Sequence, residues 1–210
     1  MRIDVWSDVI CPWCWLGRAR LENAVAASPD KEQIEIVYRS FELDPSSDRT
    51  LDIPTSELLQ KKFGMGRAQI DAMHARIVGL GKSEGITFEF ERARTSNTFD
   101  AHQLTHFAHA QGKRLAMVDR LFAANFNEGI RVGDRASLVK LAAEVGLDGA
   151  EAEKALEEQR FADAVRADEA HAKELGIRGV PFFLFEGKLA VSGAESVATL
   201  QAAMAKAKQA

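Results

Sequence analysis

The chain has 210 residues, of which 46% are hydrophobic and 28% charged, a balance that excludes a disordered or fibrous protein. Its net charge of −4 argues against nucleic acid as the main partner, because phosphate binding needs a basic surface. No apolar run reaches the ~18 residues of a membrane-spanning helix, so no membrane partner is expected.

Met1 to Trp6 alternates like a buried strand. No basic segment leads into an apolar core and cleavage site, so the reading expects no signal peptide and a cytoplasmic protein. Thiols are kept reduced there, which disfavours a structural disulfide and leaves room for a transient one. Ser7-Asp8 breaks the strand, and Val9-Ile10 leads to Cys11-Pro12-Trp13-Cys14, which holds the only two cysteines of the chain. A helix is predicted from about Pro12 to Ala27, with Leu16, Ala19, Leu21 and Val25 toward a sheet. Proline suits its first turn, where the missing N–H has no partner to lose. Ser28-Pro29-Asp30 ends the helix, and the β-branched and aromatic run Ile34–Phe41 predicts a second strand. Strand, helix and strand with short links imply a parallel β-α-β unit.

After the loop Asp44–Asp48 the pattern turns helical, from about Pro54 to Gly176. Ile70, Met73, Ile77 and Leu80 form one stripe, and Leu115, Val118, Phe122 and Phe126 another. Asp134 opens a helix that Gly146 stops, and Asn97 with Asp100 is suited to start one that runs to Gly112. Residues 150–175 read as one or two exposed helices. Ile86–Phe90 alternates but is too isolated for a strand assignment. Gly179–Phe185 then reads as a strand opened by Pro181, Glu186-Gly187 as a turn, and Lys188–Val191 as its partner strand. A last helix, opened by Gly193-Ala194-Glu195, carries Val197, Leu200 and Met204 on one face. Each end is too small to bury a core alone. The expected organisation is therefore one α/β domain from residues 1–53 and 177–210, interrupted by a helical insertion domain, 54–176.

C-P-W-C after the first strand, with G-V-P-F-F before the third, resembles a thioredoxin-like oxidoreductase of the DsbA family. That family's fold carries a large all-helical insertion between strands 2 and 3. The opening I-D-V-W-S-D-V-I-C-P-W-C-W-L-G, the S-N-T-F-D-A-H of Ser96–His102 and the terminal S-G-A resemble its FrnE-like branch. The resemblance implies a cis peptide before Pro181 that exposes the Val180 backbone to a thiol peptide. It implies substrate contacts at Pro12, Trp13, Val180 and Pro181. Asn97 and His102, in the family-like segment, are candidates for the cleft.

Thiol exchange requires a thiolate, and a helix N-terminus favours one. Cys11 is therefore expected to be an exposed nucleophile, with Cys14, one turn in, more buried and resolving the mixed disulfide. The partners expected are disulfide- or thiol-containing proteins or small molecules. Trp13 stands where many DsbA proteins carry histidine, which leaves the redox direction open. The family's buried acid usually lies six residues before the nucleophile, where this chain has Val5. Asp4, seven before, reads as a solvated strand-end acid.

Two other functions compete. Glutathione-dependent transferases and isomerases of the kappa-class and 2-hydroxychromene-2-carboxylate isomerase type share the scaffold, but typically carry serine at the place of Cys11. No tightly bound cofactor is expected, and glutathione is a candidate co-substrate. Gly193-Ala194-Glu195 lies where those relatives hold its γ-glutamyl carboxylate, and here reads as a cap. His102, His106 and His109 share a helical face and, with two cysteines, have the composition of a zinc site. Their place in the insertion argues for thiol exchange over a non-catalytic zinc or thiol-binding module, so no metal is assigned. Exposed apolar residues of the insertion are compatible with a homodimer.

Overall fold

The computed structural model describes residues 1–209. The order β-α-β, helical block, β-β-α is observed. The main sheet has the order β2-β1-β5-β6, formed by β1 (Arg2–Ser7), β2 (Glu35–Ser40), β5 (Phe182–Phe185) and β6 (Leu189–Ser192). β1 and β2 are parallel and flank α1 (Pro12–Ala26) in the chain, while β5 runs antiparallel to β1 and β6 to β5.

Alternation sorts side chains between the two faces of this sheet. Ile3, Val5, Phe183 and Phe185 enter the main core, with Leu21 of α1 and Leu200 and Met204 of the C-terminal helix. Trp6, Phe182 and Leu184 point the other way, toward Ala172 and Ile177. That second face is covered by α8 (Ala162–Glu174), which packs on β2. The main core continues into the helical block through Ile77, Phe122 and Phe126.

Helices α2 (Thr55–Phe63), α3 (Arg67–Ser83), α4 (Phe99–Ala110), α5 (Arg114–Ala123), α6 (Arg135–Glu144) and α7 (Gly149–Glu157) fill the block before α8. Asp134 caps α6 by accepting from Ser137 N–H. α4 starts at Phe99, and Asn97 Oδ1 accepts from the Phe99 N–H. Ile86–Phe90 is not a strand: its alternation turns Ile86, Phe88 and Phe90 inward without a partner strand. A two-stranded ribbon unforeseen in the sequence joins β3 (Asp52–Pro54) to β4 (Arg94–Ser96). Three residues per strand are too few to show a period. The last helix, α9 (Val197–Ala207), is capped by Ser196, whose hydroxyl accepts from Thr199 N–H. Gly193-Ala194-Glu195 therefore precedes the helix and does not cap it. No helix among the described residues is long and apolar enough to cross a membrane.

Candidate active site

The pairing of β1 with β5 explains how two distant motifs meet. Trp6 pairs with Phe182, so the loop that leaves β1 and the loop that enters β5 emerge at the same end of the sheet. Cys11 is the N-cap of α1, and the Val180–Pro181 peptide, which is cis, lies against it. The Cys11 thiol donates to the Val180 carbonyl at 3.7 Å. Gly17, one and a half turns into α1, permits this approach. A Cβ there would stand 2.8 Å from Pro181 Cγ and 3.1 Å from Phe183 Cζ, both on rigid rings. Gly17→Ala is expected to cost ~1–3 kcal/mol through overpacking. It should also displace Pro181 from Cys11. Chemical denaturation, with alkylation rates of Cys11 measured beside it, checks both effects.

Both cysteines are free thiols. Cys14 is 1% exposed and Cys11 5%, so the expected order holds but Cys11 is not exposed. It is screened by Val180 and opens only onto a cavity between the sheet end and the insertion. Burial pushes the Cys14 thiol well above its ordinary range, and the hydrogen bond and charge of Cys11 push it further. Two groups oppose them: the Asp8 backbone N–H, 3.5 Å from Cys14 Sγ, and the Ser7 side chain.

The cavity measures about 370 Å³ and is lined mainly by apolar side chains. Pro12, Trp13 and Val180 stand on the cysteine side. The opposite walls come from α2 and α3 and include Leu58, Leu59, Met73, His74 and Ile77. Met73 and Ile77 belong to the apolar stripe expected of a helix core, and nothing in the sequence marks α2 for the cavity. Asn97 does not line the cavity: its Nδ2 donates to Ser47 O at 3.0 Å and so anchors a loop that does. His102 is also outside the cavity, buried beneath the site.

Beneath the cysteines lies a buried polar cluster that the sequence concealed. Asp8 is fully buried and accepts from Leu43 N–H at 2.8 Å. His102 Nε2 lies 3.2 Å from Phe41 O, its hydrogen-bond partner, and 3.4 Å from Asp8 Oδ1, which has no hydrogen-bond partner. Burial alone would push the His102 imidazole down, but Asp8, Glu42 and Glu169 outweigh it and hold its pKa above the ordinary value. Asp4, by contrast, is buried on the opposite face of the sheet and ion-paired with Arg2 and Arg39, at 3.0 and 2.9 Å. It is neither solvated nor near the thiols. His106 is engaged by Asp168, and the histidines of α4 do not converge with the cysteines. Among the described residues no group of three or more His, Cys, Asp or Glu is arranged to hold a metal ion.

Glu42 adds a pH dependence. Burial pushes its carboxyl up to about 7, despite the Arg166 guanidinium at 2.7 Å, and Glu169 adds to the rise. A carboxyl raised on folding holds its proton more tightly in the native state. Its contribution is thus complete below about pH 4.5 and is lost as pH rises through about 7. Stability is expected to decline across that window by a few kcal/mol at most. Glu42→Gln should flatten the decline, as urea midpoints between pH 5 and 8 will show.

Known proteins agree with this architecture. The description "DSBA-like thioredoxin domain" matches residues 2–205. The Bacillus subtilis protein YwbO is 33% identical over 196 residues, covering 92% of this chain and 90% of its own. The crystal structure of a probable DsbA oxidoreductase, SCO1869 from Streptomyces coelicolor, superposes with a TM-score of 0.95 at 37% identity, covering 100% of this chain and 90% of that one. The cytosolic disulfide reductase DsbM from Pseudomonas aeruginosa shares the fold at 19% identity, with a TM-score of 0.65 over 100% of this chain and 96% of its own. With two cysteines at a helix N-terminus and a cis-proline loop against them, the chain belongs to the family of DSBA-like thioredoxin domains.

Proposed function

We propose that the protein is a thiol–disulfide oxidoreductase in which Cys11 is the nucleophile and Cys14 the resolving thiol. The observation that carries this reading is the asymmetry of the pair. Cys11 caps a helix N-terminus and faces a cavity, whereas Cys14 is buried behind it with its pKa raised. The similarity to a probable DsbA oxidoreductase at 37% identity supports it.

The geometry gives an order of events. At the N-cap of α1, Cys11 reacts as its thiolate. It attacks a substrate sulfur, the substrate disulfide breaks, and a mixed disulfide forms. Cys11 then no longer carries the hydrogen bond and charge that held Cys14 up. Cys14 can ionise, with the Asp8 N–H and Ser7 still facing its sulfur. It attacks Cys11, which closes the Cys11–Cys14 disulfide and releases the second substrate thiolate. The reverse sequence oxidises a dithiol substrate. Pro12, Trp13 and Val180 form the rim that a substrate meets, whereas the predicted contact Pro181 is buried behind them and outside the cavity lining. Equilibration of the purified protein in glutathione redox buffers tests the reading. The pair should interconvert between dithiol and intramolecular disulfide at a defined ratio, and failure to form that disulfide at any ratio would overturn it.

A further inference from the structure

The cavity next to Cys11 is lined mainly by apolar side chains. Charged side chains reach its lining only as Asp44 and Lys62, and these pair with each other at 2.5 Å. The cavity therefore offers no free charge to a carboxylate or ammonium, and desolvating either there is unfavourable. Its volume, about 370 Å³, falls in the range of small-molecule sites. A peptide crossing the rim at Trp13 and Val180 would leave the space between α2 and α3 unfilled.

Two features of the walls point to an occupant. First, α2 buries none of its own residues, and Phe63 is 62% exposed, yet Leu58, Leu59 and Phe63 all line the cavity. An amphipathic helix left this way has its apolar face toward an unfilled space. Second, His74 lines the cavity with its ring stacked on Phe90, at 4.0 Å between centroids and 5° between planes. Its Nε2 is buried and has no hydrogen-bond partner. Desolvation pushes the His74 pKa below the ordinary imidazole value.

We propose that this cavity binds a compact, uncharged disulfide with aromatic or branched apolar arms. This specifies the substrate class of the dithiol chemistry and rests on that reading. The Cys11 thiolate attacks one sulfur of R–S–S–R, the S–S bond breaks, and R–S⁻ leaves. Cys14 then displaces the second R–S⁻ as the Cys11–Cys14 bond forms. The substrate gains two electrons from the protein dithiol, and the two thiolates take up the two protons that the cysteines lose.

The test is the rate at which the reduced full chain is oxidised by dibenzyl disulfide, bis(4-hydroxybenzyl) disulfide, bis(2-hydroxyethyl) disulfide and glutathione disulfide. Each rate is divided by that of dithiothreitol with the same reagent, which removes intrinsic reactivity. The normalised rate for dibenzyl disulfide should exceed those of the hydroxyethyl and glutathione compounds by at least ~10-fold, the scale expected for burial of a ring. Leu58→Asp should bring that ratio toward one, with the circular dichroism of the variant recorded to show that it remains folded. Equal normalised rates across the four reagents would overturn the cavity assignment and leave the dithiol reading standing. Absence of reaction with all four would overturn both.

Discussion

Cys11→Ser is expected to abolish thiol–disulfide turnover, with a loss of at least ~10³-fold, the scale seen when a nucleophile is removed. No other cysteine can substitute, because Cys14 is 1% exposed and lies behind the first turn of α1. Serine at the N-cap satisfies the helix as well as cysteine does, so stability should hold or rise. Cys14→Ser should behave differently. Cys11 still attacks, but nothing resolves the product, and the mixed disulfide accumulates. Mass spectrometry of each variant after incubation with a small disulfide separates the roles. A substrate adduct is expected on Cys14→Ser and none on Cys11→Ser. The opposite pattern would reverse the assignment of nucleophile and resolving thiol.

The largest structural effect is expected at Asp168 of α8. Its carboxylate is buried and accepts from Arg39 Nη1 at 2.9 Å and from the Ser40 backbone N–H at 3.0 Å, and its Oδ2 lies 3.1 Å from His106 Nε2. Arg114 donates to the His106 Nδ1 at 3.1 Å, so the proton of that ring sits on Nε2 and faces Asp168. The Trp6 indole N–H donates to the Asp168 carbonyl at 3.1 Å. One residue thereby ties α8 to β1, β2 and α4. Burial pushes the Asp168 carboxyl up, but His106, Ser40 and Arg39 outweigh it and leave its pKa below the usual 3.8. Asp168→Ala strips the half-buried Arg39 guanidinium of one of its two carboxylates and the buried Ser40 N–H of its acceptor, a loss of ~3 kcal/mol. For a chain of this size that lowers the melting temperature by about 10 °C. The sign with pH follows from the depressed pKa: the contribution is present above the unfolded value of 3.8 and is lost as pH falls through the lower folded value. The gap between wild type and Asp168→Asn should therefore be full at pH 6 and shrink below pH 3.8. A gap that persists unchanged into strong acid would show that packing, not charge, sustains α8.

Opposite slopes thus act on the same fold. Asp168 favours the native state as pH rises from the acid side, while Glu42 withdraws its contribution toward neutrality and above. The two carboxyls differ because Asp168 has three donors converging on it, whereas Glu42 meets one guanidinium that it shares with Glu169.

Elements with a strong period were legible in the chain alone. α1, β1, β2 and the β5–β6 hairpin stand within one to three residues of where alternation, proline and turn residues put them. The β3–β4 ribbon was not legible, because three-residue strands have no period to detect. Ile86–Phe90 shows the converse: a period of two arises wherever alternate side chains are buried, with or without a partner strand.

At the site, the sequence alone determined the thiol pair and its setting: two cysteines separated by two residues after a strand, and a Val-Pro step far downstream. Local rules govern these features, since cap position, proline tolerance and thiol type depend on neighbours in the chain. Tertiary structure decided everything about the surroundings. The burial of Cys11, the acid–imidazole contact of Asp8 with His102, and the exclusion of Asn97 from the cavity depend on pairings across tens of residues. The apolar chamber of α2 and α3 does so as well, because it exists only where the insertion folds back over the end of the sheet. A spacing of residues can specify a thiol pair; which walls face it is set by side chains that meet only after the chain has closed.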